Sequence, residues 1–109
     1  MPPAFPYRGP DALRAPIEAA LRRVVDPEVS LSIIDVGLVY RVDVVDTEVH
    51  IVMTMTSAAC PVTDLILEEA EHELDRAVPP GRAIRVELVW APPWTPDRMS
   101  ARGRALMGW

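Results

Sequence analysis

The stretch from Met53 to Leu67, MTMTSAACPVTDLIL, predicts how the two halves of the chain are joined. The alternation of residue types up to Thr56 is typical of a strand, and the apolar spacing after Pro61 is typical of a helix. Pro61 suits the first helical position, because its missing N–H would lack an intrahelical partner there. The sequence therefore predicts a strand, a short turn and a helix, with the only cysteine, Cys60, at the junction.

Cys60 has two interpretations. A thiol at a helix N-terminus lies near the positive end of the helix dipole, which stabilises the thiolate and favours a reactive or metal-ligating role. A free cysteine is also a common small buried residue, and here it would fill space beneath the turn. Its position in the sequence leaves both interpretations open.

The periodicity of the whole sequence predicts three helices and three strands, including the strand and the helix of this stretch. The elements are a helix over about 11–24, strands over 38–45, 48–56 and 83–90, a helix over 61–78 and a short helix after Pro96. Asp46 and Thr47 suit a hairpin turn, and the strand–helix–strand lengths predict a right-handed crossover that makes the last strand parallel to the second. The fold class is α/β, an α+β two-layer domain in the order α-β-β-α-β-α. Its helices pack on a small mixed sheet of about three strands.

Length and composition indicate one domain. Residues 1–11 are read as a proline-rich leader and residues 12–109 as the domain; a mobile tail is favoured for the leader, although Phe5 and Tyr7 offer packing groups. A net charge of −5 argues against nucleic acid. No long apolar run suggests a membrane span or signal peptide. A single cysteine excludes an internal disulfide, so a cytoplasmic protein is expected.

Three carboxylates lie close together in the sequence, at Asp26, Glu28 and Asp35. They suggest a hard-metal or acid–base site, or else aspartates that accept backbone N–H groups and shape a loop. The spacing favours the loop-shaping alternative. Thr54 and Thr56 precede the cysteine on the more polar strand face, where their hydroxyls would serve a ligand or simply suit a half-exposed strand.

Several other residues receive simpler interpretations. Gly37 is expected at a positive φ, and His50 and His72 are expected at the surface. Packing is favoured over a partner site for Trp94 and Trp109. In the last helix Thr95 is the expected N-cap, and Met99, Gly103 and Leu106 are expected on one side.

Three segments together resemble one family. These are VVDPEVSLSIIDVGLVYRVDV, MTMTSAACPVTDLILEEAE and VELVWAPPWTPDRMS, which are similar to the SufT/PaaD-like metal–sulfur cluster biosynthesis family, the iron–sulfur assembly domain. The resemblance covers about Ala12 to Trp109 and implies an α/β domain with a role in maturing iron–sulfur proteins. It also implies that Cys60 is the functional thiol and metal ligand, with five residues near it: Asp26, Glu28, Asp35, Thr54 and Thr56.

The number of thiols limits this role. Iron–sulfur clusters usually take four thiolates, whereas one chain supplies one and a homodimer would supply two. We therefore expect a transient cluster or iron and no stably bound cofactor, with iron–sulfur carriers or apo-targets as partners and a homodimer as a further candidate. A non-enzymatic assembly factor is favoured. The alternatives are a thiol enzyme with Cys60 as nucleophile, and a structural interaction module that uses Trp94 and Trp109.

Overall fold

A computed structural model describes residues 5–57 and 61–108, so Cys60 and Trp109 lie outside the described residues. The helices are α1 (Asp11–Arg22), α2 (Ile33–Val36), α3 (Thr63–Ala77) and α4 (Ala101–Met107), with a 3-10 turn at Pro96–Arg98. The strands are β1 (Tyr7–Arg8), β2 (Val25–Asp26), β3 (Leu31–Ser32), β4 (Val39–Val44), β5 (Glu48–Met53) and β6 (Ala83–Leu88). No helix in this described part is long and apolar enough to cross a membrane.

The main sheet is mixed, as the sequence predicts. Its strand order is β1-β4-β5-β6, and β2 pairs with β3 in a separate short ribbon. The β4–β5 hairpin is antiparallel, while β6 runs parallel to β5 beyond helix α3. The predicted fold class is therefore confirmed, with a fourth strand added at one edge by β1.

The N-terminal segment supplies that fourth strand. Tyr7 lies opposite Val42 in a parallel pair, and the Val42 N–H donates to the Pro6 carbonyl oxygen at 3.0 Å. Phe5 is buried in the core. The expectation of a mobile tail is therefore wrong for residues 5–8, because an apolar side chain and ladder hydrogen bonds hold them in place.

The core lies between one face of the sheet and the layer formed by α1 and α3. In α1, Ile17, Ala20 and Leu21 are fully buried, as their spacing predicts. The strands contribute alternate residues, as a sheet covered on one face requires: Val42, Val44, Val49, Ile51 and Met53. The α3 stripe was predicted to include Leu65, which is instead 49% exposed.

Helix boundaries differ from the predictions at functionally relevant points. Helix α3 begins at Thr63, and its first backbone bond runs from the Ile66 N–H to the Val62 carbonyl oxygen. Pro61 therefore lies before the N-cap and does not occupy the first helical position. The helix dipole begins about two residues later than the sequence suggests.

The C-terminal helix also begins later than predicted. Thr95 is the N-cap residue of the 3-10 turn only, and its side chain makes no capping hydrogen bond there. Helix α4 is capped instead by Ser100, whose Oγ accepts from the Gly103 N–H at 2.9 Å. Of the three residues expected on one side, Met99 and Gly103 are buried, whereas Leu106 is 62% exposed.

An ion pair joins the two long helices and makes stability depend on pH. Arg23 Nε donates to Glu73 Oε2 at 2.7 Å. This bond lowers the pKa of Glu73 below its ordinary 4.5, and the positive charges of Arg23, Arg76 and His72 lower it further, whereas burial opposes the shift. A carboxyl with a lowered folded pKa stabilises the protein above its unfolded pKa, and that contribution is lost as pH falls through the folded value.

We expect Glu73→Gln to reduce the free energy of unfolding at pH 7, with the difference from wild type fading as pH falls below 4.5. Urea denaturation across this pH range measures it. Glu71→Gln, on the exposed side of the same helix, is the control for loss of helix charge alone. If Glu73→Gln lowers the free energy of unfolding by the same amount at every pH, the loss of the ion pair is not the cause.

Candidate functional site

Consecutive backbone hydrogen bonds connect the end of β5 to helix α2. The Thr54 N–H donates to the Leu38 carbonyl oxygen, the Leu38 N–H to Ile33, and the Ile33 N–H to Val24, each at 2.9 Å. These bonds hold the end of β5, the α2 turn and the start of β2 against one another. The end of β5, which leads into the segment before Cys60, is therefore fixed by backbone hydrogen bonds to its neighbours.

Three buried polar residues lie in or beside these hydrogen-bonded segments. Asp26, Asp35 and Thr54 are 1%, 6% and 0% exposed, and they are the buried polar or charged residues among those described. Asp26 lies two residues after Val24, whose carbonyl oxygen accepts the last of these hydrogen bonds, and Asp35 belongs to α2. Three of the predicted site residues therefore lie near one corner of the fold, the α2 corner, which comprises α2, the end of β5 up to Thr54, and residues 24–26.

Asp26 shapes its own loop, as the favoured alternative predicts. Its Oδ1 accepts from the Glu28 N–H at 2.9 Å, and its carbonyl oxygen accepts from the Ser30 N–H at 2.8 Å. Ser30 takes a positive φ of 58° to close the turn. Glu28 itself is exposed.

Asp35 is also used structurally, with a partner that the sequence analysis missed. Its Oδ1 accepts from Ser100 Oγ at 2.8 Å, and Arg22 Nη1 lies 3.6 Å away. The Ser100 N–H also donates to the Asp35 carbonyl oxygen at 2.9 Å. Asp35 therefore fixes the start of α4. The available signal for Ser100 was its position as a serine directly before a helical segment.

The two threonines differ in their surroundings. Thr54 is predicted on a half-exposed face, but it is fully buried, and its Oγ1 lies 3.4 Å from the Met55 carbonyl oxygen. That prediction is wrong because the α2 corner covers the end of β5. Thr56 is exposed, in the segment that leads towards Cys60.

The C-terminal segment closes over the same corner. Trp94 Nε1 donates to the Val36 carbonyl oxygen at 2.8 Å, and the Trp94 side chain packs on the core, which confirms its favoured interpretation. Gly37, at φ 83°, lies against the Arg98 backbone. The Arg98 guanidinium lies 4.0 Å from the centre of the Tyr40 ring, a cation–π contact. The C-terminal segment at residues 94–98 therefore contacts Val36, Gly37 and Tyr40.

The described residues offer no ready metal site of their own. No group of three or more His, Asp or Glu side chains within 5–57 and 61–108 could hold a metal ion. His50 Nε2 lies 2.8 Å from Glu87 Oε1 across the sheet. The carboxylates Asp26 and Asp35 are already engaged by loop and helix groups. Both side chains therefore serve the structure of the loop and of α4.

Curated proteins of known role resemble the chain along most of its length. It is 41% identical over 99 residues to the Fe-S protein maturation auxiliary factor YitW of Bacillus subtilis, covering 90% of this chain and 96% of that protein. It is 40% identical over 86 residues to the auxiliary factor SufT of Staphylococcus aureus, covering 78% and 97%. It is also 36% identical to a segment forming 20% of an iron-sulfur cluster carrier protein of Mycobacterium tuberculosis, which covers 70% of this chain.

Similarity to a solved structure and to a family model indicates the same family. A crystal structure of a domain of unknown function, DUF59, from Bacillus anthracis superposes with a TM-score of 0.83 at 36% identity, covering 90% of this chain and 93% of that one. The family described as "Iron-sulfur cluster assembly protein" matches residues 14–88. The matched residues make up more than half of the chain and include α2. The chain therefore belongs to the iron–sulfur cluster assembly protein family.

Proposed function

We propose that the protein is an accessory factor in iron–sulfur cluster assembly, which delivers clusters to apo-targets or recruits them through Cys60. The observation that carries the proposal is the match to maturation auxiliary factors, which extends over 96% of the length of YitW. The match is too extensive to reflect one shared motif. It supports the same class of task for this chain.

Counting ligands supports a transient role for the cluster. The chain has one cysteine, and clusters are usually held by four thiolates. A cluster or iron ion at Cys60 would take its other ligands from a partner or a small thiol, and it would leave with that partner. A reducing cytoplasm would keep the thiol available for this exchange.

The proposed partners are iron–sulfur carriers and apo-targets, with a second copy of the chain as another candidate. A segment similar to this chain occurs inside a cluster carrier protein. Fusion of two modules raises their effective concentration, which is useful when the modules act on each other. That arrangement supports a direct contact between this domain and a carrier.

The proposed site combines Cys60 with residues of the α2 corner. Thr54, Asp26 and Asp35 act as positioning residues, since all three are buried. Asp26 accepts from the Glu28 N–H, Asp35 accepts from the Ser100 hydroxyl, and the Thr54 N–H donates to the Leu38 carbonyl oxygen. Thr56 and Glu28 are exposed and would contact the cluster or the partner. These hydrogen bonds fix the segments on which the three buried residues lie, so less conformational entropy is lost there when a partner docks.

A non-enzymatic role is part of the proposal. A thiol enzyme needs a general base within hydrogen-bond reach of its nucleophile. Of the two histidines, His50 is bonded to Glu87 on the open face of the sheet, and His72 is exposed on α3. Both positions support a binding role over catalysis.

Anaerobic cluster transfer tests the proposal. A cluster-loaded carrier and an apo-ferredoxin are mixed with and without the protein, and transfer is followed by circular dichroism in the visible range. We expect faster transfer and a measurable complex with the carrier. Protein alkylated at Cys60 by iodoacetamide is the matched control, and it should bind the carrier without accelerating transfer. If untreated protein neither binds the carrier nor changes the transfer rate, the proposal is wrong.

A further inference from the structure

Strand β6 forms an open edge of the main sheet. Within the described ranges it pairs with β5 alone and lies at the end of the strand order. Its sequence, AIRVEL, contains no proline, a residue that often protects sheet edges. Six residues of edge strand are therefore presented to a further strand.

The backbone direction along this edge follows from the β5 pairing. The Ala83 N–H donates at 2.9 Å to the carbonyl oxygen of Thr47, directly before β5, and the Val89 N–H donates at 2.8 Å to that of Met53, the last residue of β5. Because successive residues of a strand direct their backbone groups to opposite sides, the odd-numbered residues of β6 face β5. The backbone groups of Ile84, Val86 and Leu88 are therefore directed to the open edge.

We infer that two copies of the chain pair antiparallel through β6, centred on Val86, so that their four-stranded sheets join into one sheet of eight. In this register Val86 of one copy lies opposite Val86 of the other, and Ile84 lies opposite Leu88. These are hydrogen-bonded pairs, since the residues with outward-directed backbone groups meet. Such a symmetric dimer is closed and leaves no further β6 edge for a third copy.

The charges on β6 select this register. Arg85 and Glu87 share the open face of the sheet, opposite the helices, and their side chains lie 3.6 Å apart. With Val86 at the centre, Arg85 of each copy faces Glu87 of the other in a non-hydrogen-bonded pair, where side chains are closest. The dimer therefore gains two cross-strand ion pairs.

The neighbouring registers are opposed by the same two residues. Moving the centre to Arg85 places two arginines opposite each other, and moving it to Glu87 places two glutamates opposite each other. Like charges in directly opposed positions destabilise a strand pair. Within β6, both alternatives also pair only two outward-directed residues of each copy in place of three, so charge and backbone bonds both favour the register centred on Val86.

The inner face of β6 is compatible with the same dimer. Ile84, Val86 and Leu88 are partly buried hydrophobic residues packed against the core. Antiparallel pairing would place the same apolar row of a second copy beside them and cover their remaining exposed surface. An edge of six residues is small for a protein interface, so the dimer is expected to be weak and populated at high protein concentration.

Charge exchange tests this interface in the full chain under reducing conditions. Sedimentation equilibrium should show a monomer–dimer equilibrium that Arg85→Glu or Glu87→Arg each weakens at least about tenfold. The double exchange R85E/E87R should restore the wild-type dissociation constant to within about threefold. An equal mixture of the two single variants should form a heterodimer, since the two edges then carry opposite charges.

Amide hydrogen exchange gives an independent measurement on unmodified protein. Protection at Ile84, Val86 and Leu88 should rise with protein concentration, while protection elsewhere in β5 and β6 stays constant. The inference is overturned if the chain stays monomeric up to about 1 mM. It is equally overturned if a dimer forms whose affinity ignores the single exchanges or is not restored by the double exchange.

Discussion

Cells that carry Cys60→Ser in place of the wild-type protein are expected to lose iron–sulfur enzyme activity to the level of cells lacking the protein. The serine hydroxyl is not ionised at neutral pH, so it cannot replace a thiolate as an iron ligand or as an acceptor of a cluster. The measurement is the activity of cluster-dependent dehydratases in extracts, with the amount of variant protein checked by immunoblotting.

Cys60→Ala separates this role from simple space-filling. If the thiolate is required, alanine and serine at this position cause the same loss. If Cys60 only fills an apolar space, alanine should retain most activity and serine should be worse, because a buried hydroxyl without a partner is costly. Full complementation by either variant would contradict the assignment of Cys60.

Gly37→Ala is expected to destabilise the fold by roughly 2–5 kcal/mol. About 1–2 kcal/mol comes from a non-glycine residue in the left-handed region, since Gly37 has φ 83° and ψ 32°. About 1–3 kcal/mol more comes from overpacking, because an added Cβ would overlap the Arg98 carbonyl oxygen and lie 2.8 Å from the Arg98 Cβ. Urea denaturation measures the loss.

Gly108→Ala is the matched control. Gly108 also follows a helix in the left-handed region, at φ 75° and ψ 26°, but an added Cβ there meets nothing within 4 Å. It should cost only about 1 kcal/mol or less, the backbone part of the effect at a chain end. Equal losses at both positions would show that contact between Gly37 and the C-terminal segment does not contribute.

Local patterns in the sequence were sufficient for the main elements. The alternation in β4 and β5 and the Asp46–Thr47 turn predicted the hairpin, and the helix between β5 and β6 predicted their parallel pairing. These features depend on near neighbours, through residue periodicity, turn chemistry and the length a crossover needs. The positive φ of Gly37 and the loop-shaping role of Asp26 were predictable for the same reason.

The site was predicted less completely, because its contacts join distant parts of the chain. Asp35 meets Ser100 across 65 residues, and no local pattern connects an aspartate in one turn with a serine before a later helix. In the sequence, Thr54 has the pattern of a half-exposed strand residue, whereas in the fold it is fully buried at the α2 corner. The role of Cys60 stays a prediction, since it lies outside the described residues.

By itself, the sequence determined α1, α3, the strands β4 to β6, the hairpin and the crossover, because backbone preferences and apolar periodicity act over a few residues. Only the tertiary structure decided that residues 5–8 join the sheet, that α3 begins after Pro61 and that the C-terminal segment closes over α2. These outcomes depend on which surfaces meet once the core has formed. The physical reason is that packing and long-range hydrogen bonds select among arrangements that local preferences leave nearly equal in energy.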